Sequence, residues 1–197
     1  MAMTTAYPVQ MDLDAPLEVA RWRPLVHWIL AIPHWVVLYV LQGVLSALAF
    51  VSWFAILFTG AIPQGIFDFM AMIFRYQWRT TSYWFFMREP YPPFDFTSTH
   101  LDPGTDPARL SVEYPERLSR GLIFVKWLLI IPHFIALVFV GIAAFFVLIA
   151  GWFAVLFTGR WPEGMRNFII GATRWGTRAS AYLYLMTDQY PPFSLQP

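Results

Sequence analysis

Four arginines and two histidines are the side chains of this 197-residue chain whose types and spacing could do chemistry. Arg75 and Arg79 stand four residues apart, ahead of Tyr83 and Met87, and Arg174, Arg178, Tyr182 and Met186 repeat the series. At that spacing side chains drift by about 40° per step around a helix, so each set shares one face. The chemistry such a guanidinium face offers is phosphate recognition, and in a chain this apolar the expected ligand is the phosphate of an anionic lipid. His34 and His133 each follow a proline, in Ile32-Pro33-His34 and Ile131-Pro132-His133. A two-fold axis could bring them together as metal or haem ligands or as a proton relay. The competing reading is structural, a helix kink at Pro33 and Pro132 with a polar contact from each histidine. No His-x-x-His, His-Glu-x-x-His or carboxylate cluster accompanies them, so no metal and no cofactor is expected.

Other chemistries lack their parts. There is no Gly-x-Ser-x-Gly elbow, phosphate loop or dinucleotide fingerprint. Ser119 beside Arg120, with a distant His100, is not a nucleophile, base and orienting acid. The absence of cysteine removes thiolate catalysis and disulfides together. The thirteen basic residues are scattered among apolar ones rather than gathered on a polar face, so nucleic acid is not an expected partner.

The elements that must position these residues are written twice, at a constant offset of 99 residues. Trp53-Phe54-Ala55-Ile56-Leu57-Phe58-Thr59-Gly60 returns as Trp152-Phe153-Ala154-Val155-Leu156-Phe157-Thr158-Gly159, and Tyr91-Pro92-Pro93-Phe94 as Tyr190-Pro191-Pro192-Phe193. A duplication of this kind predicts two equivalent halves around a pseudo-two-fold axis. With 58% hydrophobic, 19% aromatic and only 13% charged residues, the composition is that of a membrane protein. No cleavable signal peptide is expected, because the first twenty residues contain Asp12, Asp14 and Glu18 and no apolar core.

From Pro24 to Phe58 and from Gly121 to Phe157 there is hardly a strongly polar side chain, and each run exceeds the ~20 residues of a spanning helix. Pro33 and Pro132 break the runs into a short interfacial helix and a long helix; a re-entrant hairpin turning near Gly43 and Gly141 is the alternative. Thr59-Gly60 and Thr158-Gly159 read as left-handed caps, followed by Pro63 and Pro162. A second, arginine-bearing helix is expected over about 65–87 and 164–186, stopped by Tyr-Pro-Pro-Phe. It is either an interfacial amphipathic helix or a spanning one. Two arginines cost about 2.5 to 3.5 kcal/mol each at mid-bilayer, and each apolar residue returns about 0.3 to 0.6, so the second copy, rich in glycine, alanine, serine and threonine, should not face lipid all round. Ala172, Gly176 and Ser180 form a stripe suited to close helix packing.

Asp95 to Glu116 reads as an exposed acidic linker, and Val9, Met11, Leu13 and Leu110, Val112, Tyr114 alternate with polar residues as two short strands. Basic residues before each apolar run put both runs' starts on the cytoplasmic side, which favours four crossings.

The resulting expectation is an all-α integral membrane protein with minor β, made of two tandem pseudo-symmetric repeats. Each repeat has a long proline-kinked membrane helix and an Arg-bearing amphipathic or spanning helix. Residues 1–98 form the first membrane repeat, 99–108 an acidic linker and 109–197 the second membrane repeat. The recurring blocks, with Arg160-Trp161-Pro162-Glu163-Gly164, Arg174-Trp175, Arg178 and Tyr190-Pro191-Pro192-Phe193-Ser194-Leu195, resemble the DUF4389 family, a bacterial family catalogued only as a domain of unknown function. The resemblance covers nearly the whole chain. It implies a bacterial-type integral membrane protein without an established activity; members have been called lipases, a label the missing nucleophile motif does not support.

The functional expectation is a non-catalytic, multi-pass cell-membrane scaffold or accessory subunit. It would contact anionic lipid phosphates through Arg75, Arg79, Arg174 and Arg178, and a membrane protein partner or a second copy of itself. The alternative is a lipid-handling enzyme or lipid carrier with a cavity between the repeats.

Overall fold

In the computed structural model, residues 7–197 are described; the first six residues of the expected first repeat lie outside them. The element order is β1 (Val9–Leu13), α1 (Arg23–Leu30), α2 (Ile32–Thr59), α3 (Gln64–Trp84), β2 (Ala108–Val112), α4 (Lys126–Leu129), α5 (Ile131–Thr158) and α6 (Glu163–Leu183), with a 3-10 turn at Leu122–Phe124. The chain is mostly helical with a two-stranded sheet, and the second half repeats the first.

The prolines do not kink the long helices. Pro33 and Pro132 stand in the first turns of α2 and α5, and Ala31 ends α1 and begins α2 with the same right-handed backbone. A proline nitrogen carries no proton, so the helical ladder lapses there and restarts. The expected break into a short and a long helix is thus present in both halves, and the kink expected within the long helix is not. At the other end Gly60 and Gly159 adopt φ of 76° and 72°, and their N–H groups donate to the Ile56 and Val155 carbonyls at 2.8 Å. This left-handed cap is one that only glycine takes without steric cost.

The molecule is built in three layers. On α3, Asp68, Arg75 and Arg79 face β2 and the segment before it. Met70, Gln77 and Trp84, on the opposite face, meet Ser52, Gln42 and Trp35 of α2. These pairs run antiparallel along the whole of α3. α6 repeats the arrangement between β1 and α5, with Arg174 on Met11 and Trp175 on His133. The strands thus form one outer layer, α3 and α6 the middle, and α2 and α5 the other outer layer.

A pseudo-two-fold axis runs through these layers. β1 and β2 are antiparallel with Met11 opposite Leu110, which are equivalent positions of the two repeats. Val19 N–H donates to the Gly159 carbonyl at 2.9 Å and Leu118 N–H to the Gly60 carbonyl at 2.8 Å. Ala20 N–H donates to Glu89 at 2.7 Å and Ser119 N–H to Asp188 at 2.5 Å. The first of these equivalent pairs crosses between repeats, so the halves are interlocked rather than strung on a linker.

The expected exposed linker is only partly so. Asp102 and Asp106 are buried against α3, their side chains 5% exposed, because Arg75, Arg79 and Arg88 are buried there and draw carboxylates to them. The small-residue stripe of α6 also departs from expectation: a methyl group on Gly176 would meet nothing within 4 Å. Close approach occurs instead at Gly151 of α5, where an added Cβ would overlap the Trp161 ring.

Exposure is segregated by layer. On α2 the buried stripe is His34, Leu38, Leu41, Leu45, Ser52 and Ile56. The opposite stripe, Val36, Val40, Phe50, Phe54 and Phe58, is apolar and exposed, as are the equivalent Ile135, Phe139, Ile149, Phe153 and Phe157 of α5. The outward side of the sheet carries Gln10, Asp12, Asp14 and Glu113, all exposed. Among the described residues, Ile32–Thr59 and Lys126–Thr158 are helical segments long and apolar enough to cross a membrane. The arginine helices α3 and α6, which the four-crossing expectation needs as spans, are not.

Candidate anion site on the arginine helices

In the first repeat, three guanidiniums meet three carboxylates. Arg75 Nε lies 3.4 Å from Asp102, Arg79 Nη1 lies 2.8 Å from Asp95, and Arg88 is ion-paired with Asp106. Arg75 also donates to the carbonyls of Leu110, Thr99 and Leu101 at 3.2, 2.5 and 3.1 Å. Asp102 in turn accepts from the backbone N–H of Leu110 at 2.9 Å, and Val112 N–H donates to the His100 carbonyl at 2.9 Å. The segment over 95–106 therefore covers both the guanidiniums and the outer edge of β2. Two hydrogen bonds from Thr97, together with that from Arg79, hold the Asp95 carboxyl down at about 2. Burial lowers the pKa values of Arg75 and Arg88, with Asp102 and Asp106 opposing that shift.

In the second repeat Arg174 and Arg178 recur, while Thr187 and Ser194 stand at the positions of Arg88 and Asp95. Arg174 donates through Nε and Nη2 to the Met11 carbonyl at 3.2 and 3.1 Å, and through Nη1 to the Leu195 carbonyl at 3.1 Å. Arg178 donates to the Gln196 carbonyl at 2.9 Å and lies over the Tyr7 ring at 5.3 Å. Both are buried, 8% and 3% exposed. Neither forms an ion pair with a carboxylate among the described residues; Arg178 Nε has no hydrogen-bond acceptor there, as is also true of Nε and Nη2 of Arg79 and Arg88 in the first repeat. Burial lowers the pKa of both, and for Arg178 the neighbouring Arg174 charge adds to it.

Two cavities lie over this pair. One, about 590 Å³, is lined by Tyr7, Met11, Arg174 and Arg178 among others. The other, about 510 Å³, runs along Leu13, Asn167, Arg174 and Leu195. They share Asp12, Arg174 and Pro197. Gly171 is tight against the Leu195 backbone, where an added Cβ would come within 2.7 Å of its carbonyl oxygen, so this end of the chain is seated on α6.

The structure keeps the histidines within their own repeats. His34 Nδ1 is 2.6 Å from the Tyr76 hydroxyl and its ring stacks on Phe94 at 4.2 Å. His133 Nδ1 accepts from Trp175 Nε1 at 2.9 Å, and its ring stacks on Phe193 at 3.9 Å. Tyr-Pro-Pro-Phe folds back over each imidazole, and the Tyr91 and Tyr190 hydroxyls donate to the Leu30 and Leu129 carbonyls at 3.2 and 3.0 Å. The motif thereby covers the carbonyl ends left by the proline junctions. Among the described residues there is no group of three or more His, Asp or Glu placed to hold a metal ion.

Sequence reasoning missed Arg88, Asp102 and Asp106 as one network with Arg75 and Arg79. Their charges were visible, but nothing local signals pairing across a turn of irregular chain. It also missed His27, whose Nδ1 sits 2.8 Å from the Tyr83 carbonyl with the rings stacked at 4.0 Å. Burial pushes His27 down to about 4.

Fold and site together define a duplicated helical protein with an apolar outer layer, a middle layer of buried arginines and a polar strand layer. The chain belongs to the DUF4389 family, a domain of unknown function, which matches it twice, over residues 21–95 and 120–194. No curated protein and no solved structure matches it.

Proposed function

We propose that this protein is a non-catalytic membrane scaffold seated in one leaflet, with α2 and α5 lying along the membrane plane and the strand layer turned to water. The observation that carries the reading is the opposition of the two outer layers, an apolar stripe on α2 and α5 against a charged strand face. α2 has 28 residues and is about 42 Å long, but α3 and the strand layer run alongside it. Stood upright in a bilayer, α2 would carry Asp12, Asp14 and Arg109 to mid-bilayer depth, at about 2.5 to 3.5 kcal/mol each. Laid flat, it buries only its apolar stripe.

In this seating the arginine faces of α3 and α6 lie away from the apolar layer. Anionic headgroups are met instead at the rim, by exposed Arg21, Arg117 and Arg120 beside Trp22, Trp28 and Trp127, the residue types that anchor at headgroup level. The chain has no cysteine, so single-cysteine variants give clean labelling. In sealed vesicles of one orientation, Gln64→Cys, Glu163→Cys and Ser111→Cys all react with an impermeant maleimide from the same side. Four crossings would put Ser111 on one side and the other two on the opposite one, and that result would refute the leaflet seating.

A second reading, a lipid carrier, is favoured by a cavity of about 410 Å³ between α3 and α6, lined by Trp35, Phe74, Phe134, Leu137, Gly176 and Ser180 among others. Such a space suits an acyl chain. Mass spectrometry of gently purified protein would then find a stoichiometric lipid that Gly176→Trp expels; recovery of equal lipid with both proteins counts against the carrier.

A further inference from the structure

The cavity of about 410 Å³ between α3 and α6 lies on the pseudo-two-fold axis itself. Equivalent positions of the two repeats line it in pairs, among them Phe74 with Thr173, Trp78 with Thr177 and Thr81 with Ser180. In the first two pairs the first repeat contributes a large flat side chain and the second a small one, and that inequality holds the space open. On the strand side it is closed by Trp78 and Thr177, which donate to the Asp12 carbonyl at 3.0 Å and the Met11 sulfur at 3.8 Å. Its mouth is in the apolar layer, beside exposed Trp35, Trp84 and Phe134. Among the described residues, none from the arginine faces or from the segments lying on them lines it.

Most of its polar groups are already engaged. Thr173 and Thr177 donate to the Ile169 and Thr173 carbonyls one turn back, at 2.9 and 2.8 Å. Gln77 Oε1 accepts from Gln42 Nε2 at 3.0 Å. The hydroxyls of Thr81 and Ser180, at equivalent positions on α3 and α6, enter no hydrogen bond among the described residues and are left to the cavity. We infer that the cavity binds the flat ring of a membrane quinone, its two opposed carbonyl oxygens accepting from Thr81 and Ser180 and its tail leaving by the mouth into the apolar layer. Phe74, Trp78 and Phe85 supply ring faces for a conjugated ring to stack on, and Thr173 and Gly176 opposite them leave room for it. A para-quinone carries its acceptors on opposite edges, related by the ring's own two-fold axis as the two hydroxyls are by the protein's. A saturated acyl chain would fill the space by size alone, but it leaves both donors without an acceptor, a cost that the ring carbonyls remove.

The inference rests on the lipid-carrier reading, which it deepens by naming the lipid, and is independent of the leaflet seating. The probe is decylubiquinone, titrated into the full-length protein in neutral detergent and followed by quenching of tryptophan fluorescence, since Trp35, Trp78 and Trp84 line the cavity. Saturable quenching is expected, weakened at least roughly tenfold in Thr81→Val with Ser180→Ala, which removes both donors. On the unaltered protein decylbenzene, with the same tail and a ring without oxygens, should displace the quinone only at a concentration at least roughly tenfold higher than decylubiquinone's own. That comparison survives any folding defect of the double variant. Quenching that does not saturate, equal binding by the double variant, or displacement by decylbenzene as effective as the quinone's own overturns the inference. Equally effective displacement by oleate overturns it too and assigns the cavity to an acyl chain, leaving the carrier reading in place. A protein that binds neither quinone nor oleate loses the ring site and the carrier reading together.

Discussion

The arginine faces of the two repeats have the same side chains at the same positions and opposite electrostatic circumstances. Over α3, Arg75, Arg79 and Arg88 are matched by Asp95, Asp102 and Asp106; over α6, Arg174 and Arg178 rest on carbonyls and border open space. What duplication preserved is the scaffold: the left-handed glycines, the proline junctions, and the tyrosine and histidine packing. What diverged within the sequence is Asp95, replaced by Ser194, and Arg88, replaced by Thr187. The first set is neutralised by carboxylates, whereas Arg174 and Arg178 are held by backbone carbonyls, with no carboxylate ion-paired to them among the described residues.

The sharpest way to break this comparison is to remove one arginine from each face. Arg79→Met leaves Asp102 buried without one of its cations and should cost about 3 to 5 kcal/mol. Arg178→Met strands no carboxylate and should cost less than about 1.5 kcal/mol. Denaturant midpoints of the two variants check the difference, and equal losses would mean that the second face is as fully paired as the first.

A second contrast is His27 against its equivalent, Lys126. His27 is held neutral in the folded chain, at about 4 against an ordinary 6.5. The unfolded chain therefore takes up the proton first. Stability is full above pH 6.5, declines as pH falls toward 4, and is flat below, a loss of roughly 3 kcal/mol in total. Lys126 is instead held by Asp188 at 2.8 Å and the Thr187 carbonyl at 2.7 Å. His27→Gln should reduce the slope between pH 6.5 and 4 without abolishing it, because His34 is also held at about 4 and burial lowers His133 too, and should leave that of Asp95 at lower pH, below 3.8 toward about 2. An unchanged slope in His27→Gln would assign it elsewhere.

Smaller effects separate close packing from open space. Gly151→Ala drives a methyl group into Trp161 and should cost about 1 to 3 kcal/mol. The equivalent position in the first repeat already carries Ser52, and the position of Trp161 is there Ile62. Gly176→Ala meets nothing within 4 Å and should stabilise by up to about 1 kcal/mol through helix propensity. Thermal midpoints moving in opposite directions would support the packing described, and a loss at Gly176 would place a neighbour against it.

The fold was legible wherever a local signal governs it. Thr-Gly marked the helix ends, alternation in Val9, Met11 and Leu13 marked a strand, and the repeat itself announced two halves. Pro33 was legible as a break between a short helix and a long one, but the kink also expected in the long helix does not form, because the proline stands in its first turn, where no N–H is needed. Asp102 and Asp106 looked like solvent-facing linker residues, since acidic residues among Pro, Gly and Thr have that composition wherever no cation waits opposite. The small-residue stripe of α6 was misread for a related reason: glycine permits close approach but does not supply the neighbour. The four arginines were found at once. Which of them were already paired depended on contacts formed across 16 to 27 residues of chain, from Arg79 to Asp95 and from Arg75 to Asp102, and no periodicity reports those.

The layered account makes its most direct commitment about depth. Spin labels placed one at a time at Val36, Val40, Phe50, Phe54 and Phe58 along the outer stripe of α2, in protein reconstituted into bilayers, can be read by power saturation against oxygen and a nickel chelate. A helix lying in one leaflet predicts the same depth at all five positions, matched by Ile135, Phe139, Ile149, Phe153 and Phe157 on α5. Depth that increases to a maximum near the centre of α2 and decreases toward both ends would mean that the helix crosses the bilayer, and would contradict the account.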